Sequence, residues 1–95
     1  MRKFGKDKPE LMAFTIGESK KVHKIPLAAS MPATTMMELS EAQKEGEAAT
    51  LRYQLELLER YIGDVAGKLT AGDVRDIFNA WVEESMNQGA EPGES

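Results

Sequence analysis

Apolar and polar positions change rhythm along this chain. From residue 11 the pattern is two-fold. Met12, Phe14 and Ile16 alternate with Ala13 and Thr15, the period of a half-buried strand. "GESK" follows as turn residues, with Gly17 free to take a positive φ. "KVHKI" is a second short run in which His23, Ile25 and Leu27 share a face. Pro26 has no N–H to give to a ladder, so this strand ends there or lies at an edge. The pattern predicts a β-hairpin. Two strands alone are marginal in water, so the hairpin must pack on other elements.

From residue 30 the rhythm becomes helical. Ser30 and Pro32 mark a helix start, since proline suits a first turn. Met36, Met37 and Leu39 supply its apolar side, and the helix fades at Gly46. In "EGEAATLRYQLELLERYIGD", Leu51, Leu55, Leu58 and Ile62 fall four, three and four residues apart, with Ala48 and Tyr61 flanking. That is one stripe of an amphipathic helix, ended by Gly63 or Gly67. Glu56 and Arg60 form an i,i+4 pair in the favoured order. Thr70 is the N-cap of a last helix, with Asp73 near its positive end. Leu69 and Val74 hold the two positions of a hydrophobic staple. Val74, Ile77, Phe78, Trp81 and Val82 then make one apolar face, with Gly89 as a stop.

The predicted class is mainly α with a small N-terminal β-hairpin (α+β), the hairpin being followed by three helices. One helical domain over residues 11–88 lies between a flexible basic lead, 1–10, and a disordered tail, 89–95. The tail has no apolar side chain larger than Ala90 to offset the entropy of ordering it.

Charge sharpens this picture. The net charge is −4. Residues 1–24 carry seven Lys/Arg against three Asp/Glu, and residues 25–95 carry five against thirteen. We read the front as a solvated basic arm. The acidic helical body argues against nucleic-acid binding, which rests on neutralising phosphates. The last helix would turn Asp73, Asp76, Glu83 and Glu84 toward a DNA backbone, so it is a poor recognition helix. The 95 residues include no cysteine, which removes disulfides and thiolate metal sites. No apolar run is long enough to span a bilayer. No apolar segment follows "MRKFGKDKPE", so neither a signal peptide nor a membrane anchor is expected.

Catalytic chemistry finds little to use. His23 is the single histidine and lies among lysines, so we read it as structural or exposed. Asp73 and Asp76 could hold a cation or work as an acid–base pair, but first-turn carboxylates also favour the helix dipole, and that is our reading. "GDVAGKLTAGD" lacks P-loop spacing and a preceding strand. No serine has a suitable general base. We expect no enzyme, cofactor or metal. Six methionines could form an adaptable binding surface or fill a small core. Phe78 and Trp81 divide the same way, as core residues or as anchors for a partner.

The layout as a whole, with "IPLAASMP" after the hairpin, the "DVRDIFNAW" helix and the "GES" ending, resembles the tail assembly chaperones of long-tailed bacteriophages and prophages. The resemblance covers roughly residues 11–95. It implies a non-enzymatic protein of the host bacterial cytoplasm that does not remain in the mature virion. It implies that the chain binds the tape measure protein and keeps it soluble during tail tube assembly. The tail tube protein and a second copy of the chain are further candidate partners, whereas nucleic acid and membrane are not. A programmed frameshift near Gly93-Glu94-Ser95 would yield a longer form. As partner-binding candidates we take Met36, Met37, Leu57, Tyr61, Trp81 and Met86. The alternatives are a small helical interaction module, such as an antitoxin or phage regulator, and a head–tail virion component.

Overall fold

Alternation does produce a hairpin, although a shorter one than the apolar run suggests. The computed structural model of the chain describes residues 10–89. Strand β1 is Leu11–Phe14 and β2 is His23–Pro26, antiparallel, with Met12 opposite Ile25 and Ala13 opposite Lys24. Ile16 falls in the connection, where its carbonyl accepts the Ser19 N–H at 3.1 Å. Gly17 takes φ +58° there. One face of the ribbon is buried through Met12, His23 and Ile25, with Leu27 just beyond. The rest of the basic lead and of the tail lies outside the described residues.

The chain then makes a short 3-10 turn, Ala28–Ser30, before helix α1, Ala33–Glu45. The helix thus begins later than Ser30. The Ser30 hydroxyl is already engaged, accepting the Glu10 N–H at 2.8 Å. Pro32 occupies the N-cap with extended ψ, consistent with proline before a first turn.

Helix α2, Glu47–Ile62, follows after one residue, Gly46. Gly46 has φ +120° and ψ −179°, a conformation essentially confined to glycine. That single residue folds α2 back antiparallel on α1. Side-chain bonds stitch the pair along its length. The Thr50 hydroxyl donates at the joint, to the Gly46 carbonyl at 2.8 Å with the Ala42 carbonyl 3.2 Å away, Tyr53 Oη donates to Glu38 Oε1 at 2.7 Å, and Tyr61 Oη to Met31 Sδ at 4.0 Å, the last just ahead of α1. Burial raises the Tyr53 phenol above its ordinary value, and the Glu38 carboxylate adds to the rise, against an opposing effect of Arg60. Arg60 sits over the Tyr53 ring at 5.9 Å.

A second 3-10 segment, Gly63–Lys68, leads to α3, Ala71–Gly89. The expected N-cap forms reciprocally. Asp73 N–H donates to Thr70 Oγ1, and Thr70 N–H to Asp73 Oδ2, both at 3.0 Å. Two orphan amide donors of the first turn are thereby satisfied. Asp73 is thus a capping residue. Leu69 is partly buried and Val74 fully buried, as a staple requires.

All elements meet in one core. Leu57 and Leu58 of α2, Ala66 of the second 3-10 segment, and Val74, Phe78 and Trp81 of α3 pack with Met12, Ile25, Leu27, Met31 and Leu39. Phe78 and Trp81 meet edge to face, with centroids 5.6 Å apart, a favoured aromatic geometry. No helix among the described residues is long and apolar enough to cross a membrane.

A candidate docking groove between α2 and α3

Helix α3 is held to the rest of the molecule by its middle and its C-terminal half. Trp81 Nε1 donates to the Pro26 carbonyl at 2.8 Å, and Ser85 Oγ accepts the Ala28 N–H at 3.0 Å. Both anchors lie on the hairpin side. Among the described residues no hydrogen bond joins α3 to α2, in contrast to the stitched α1–α2 pair. The two helices share the apolar core, and the surface between them opens toward the N-terminal end of α2.

The opening is a groove of about 710 Å³. Its apolar surface comes from Ala48 and Leu51 of α2 and Phe78 and Val82 of α3. Glu47, Gln54, Arg75 and Asn79 give its polar rim. Val82 is 47% exposed, while Phe78 forms the floor from within the core at 3%. An apolar trough with a polar edge between two helices is a surface on which an amphipathic helix can lie.

The sequence-derived binding candidates are scattered relative to this groove, and none of the six lines it. Leu57 (1% exposed) and Trp81 (4%) are core residues. Neither reaches the surface, because the hairpin and the second 3-10 segment close over that side of the helices. Met36 is half-buried against the core. Met37 on α1 and Met86 near the end of α3 are exposed, and Tyr61 stands partly exposed with its hydroxyl on Met31. The groove residues Leu51 and Val82 belong instead to the stripes that periodicity assigns to the core face. The signal for them was position: each stands at the end of its stripe far from the α2–α3 connection, where two helices joined at one end have most room to part.

His23 is buried on the hairpin, with its ring centroid 5.9 Å from that of Phe14. Among the described residues no group of three or more His, Asp or Glu side chains is arranged to hold a metal ion. No protein-family model, curated protein or solved structure matches this chain.

Proposed function

We propose that this protein is a bacteriophage tail assembly chaperone that binds the tape measure protein and keeps it soluble while the tail tube forms. The observation that carries the reading is the groove between α2 and α3. It offers a client helix an apolar strip at Leu51, Phe78 and Val82, edged by Gln54, Arg75 and Asn79. A long apolar helix left in water self-associates through its exposed face. A small partner covering that face, with an acidic body of its own, keeps the complex in solution by charge. The likeness of the sequence to such chaperones supplies the identity of the client, and the same reading includes a longer frameshifted form.

Co-expression with the tape measure protein encoded downstream tests it. The client should move from the pellet to the soluble fraction, and Leu51→Asp with Val82→Asp should return it to the pellet. A client that stays insoluble with the unaltered protein overturns the reading. Purified particles should lack the protein, and its presence there would favour a virion component. Expressed with an N-terminal tag and its native downstream DNA, the gene should give a minor longer band that disappears when the Gly93 and Glu94 codons are synonymously recoded.

A further inference from the structure

The two edges of the hairpin are finished differently. In an antiparallel ladder, directly opposed residues alternate between exchanging hydrogen bonds and pointing their N–H and C=O groups outward. The Leu27 N–H donates to the Glu10 carbonyl at 2.8 Å, which sets the phase. Met12 with Ile25 and Phe14 with His23 are then bonded pairs. Leu11 with Pro26 and Ala13 with Lys24 are the outward-pointing pairs.

On β2 the outward groups are closed off at Pro26 but not at Lys24. Pro26 has no N–H, and its carbonyl is taken by the Trp81 indole. On β1 they are open. Leu11 and Ala13 each present a donor and an acceptor with no partner among the described residues, and both residues are exposed. None of the usual edge protections, such as a proline, a charged side chain or a bulge, falls within Leu11–Phe14.

The open face of the ribbon also carries charge. Lys24 stands directly across from Ala13, is exposed, and makes no ion pair among the described residues. A strand added beside β1 would lie about 4.8 Å beyond it. The alanine leaves room for the Lys24 chain to cross β1 and meet a side chain on that strand. Lys20 and Lys21 are exposed on the connection, and Arg2, Lys3, Lys6 and Lys8 precede the strand in sequence.

We propose that the free edge of β1 receives an extended acidic segment of a partner protein, added as a third strand. Its carboxylate side chain opposite Ala13 pairs with Lys24, and its apolar side chains on the other face extend the Met12–Phe14 side. A second copy of this chain fits less well. Two-fold pairing about Met12 would set Ala13 opposite the second copy's Leu11. Lys24 would then meet leucine instead of a carboxylate, and two basic leads would be brought together. This edge is separate from the groove between α2 and α3 and does not depend on the chaperone reading.

A capped octapeptide of alternating valine and glutamate is the probe, with its valine–lysine counterpart as control. Binding is read by titration calorimetry and by amide hydrogen exchange. The acidic peptide should bind at least about tenfold more tightly than the basic one. On binding, the Leu11 and Ala13 amides should slow about tenfold or more, while those of Met12 and Phe14, already bonded to β2, change little. Ala13→Pro removes only an outward N–H and should abolish binding, and Lys24→Glu should reverse the preference between the peptides. Should Ala13→Pro fail to fold, a glutamate peptide N-methylated at alternate residues replaces it and should not bind. Equal affinity for both peptides, or unchanged Leu11 and Ala13 exchange, overturns the proposal. So does a dimer of the unaltered protein in which those two amides are protected without peptide.

Discussion

Helix α2 has two helical neighbours and is joined to them by different chemistry. Toward α1 it is linked through one glycine, with the Thr50 hydroxyl bonded at that joint, and cross-bonded by Tyr53 and Tyr61. Toward α3 it makes no hydrogen bond among the described residues, and α3 is fastened to Pro26 and Ala28 instead. The first arrangement specifies one distance and one register, because directional bonds fail when either is changed. The second specifies burial alone, which tolerates a gap once the core side chains are covered. A molecule built this way keeps a rigid helical pair and leaves a groove along its less constrained seam. The difference teaches where a partner can enter without undoing the fold.

The largest way to break the contrast is at the anchor of α3. Trp81→Ala removes a buried aromatic and leaves the Pro26 carbonyl without its donor. A loss of about 3–5 kcal/mol is expected, from the cavity alone, seen as a large drop in the urea midpoint at unchanged slope. A shift under about 1 kcal/mol would show that α3 is held elsewhere.

Gly46→Ala tests the rigid side. No atom lies within 4 Å of an added Cβ, so the cost is purely conformational, about 1–3 kcal/mol for a φ of +120°. A neutral result would mean that the α1–α2 joint can relax, and with it the registered pairing.

A smaller effect is expected at Tyr53. Its phenol titrates above the ordinary value of 10.0, chiefly through burial and then through its bond to Glu38. For a raised value, the stability contributed is complete below the unfolded-state pKa and is lost as pH rises through the folded-state pKa. Thermal melts should therefore lose stability in the alkaline range, and Tyr53→Phe should flatten that loss. Identical alkaline profiles for the two proteins would remove Tyr53 from the stitching.

The smallest expected change in stability is at the groove. Val82→Ser should leave the urea midpoint within about 0.5 kcal/mol, as for most exposed positions. Solubilisation of the client should nonetheless fall. A variant that solubilises the client fully would move the binding surface away from the groove.

Much of this architecture is legible in the chain because local rules and the fold agree. The two-residue rhythm at Met12–Phe14 gives the hairpin. Glycines at 46 and 63 divide the helices, and Thr70 with Asp73 writes its own cap into four residues. Each of these depends on neighbours in sequence. The start of α1 is misread from sequence because Ser30, a good capping residue, is used by Glu10, 20 positions away.

The candidate site was decided differently. Periodicity places Leu51, Leu58, Phe78, Trp81 and Val82 on apolar faces but does not say how deep each lies. Depth depends on what stands opposite, and that is set by the hairpin closing over Trp81 and Leu57 while nothing described closes over Val82. Likewise the sequence predicts a strand at β1, but only the pairing phase and the reach of Trp81 to Pro26 determine which edge stays open. The chain by itself thus determined its elements and those of their ends that short-range hydrogen bonding and backbone sterics set, such as the Thr70–Asp73 cap and the breaks at Gly46 and Gly63. Tertiary structure alone decided which apolar and backbone groups remain free to meet a partner, because burial is a property of the space between elements.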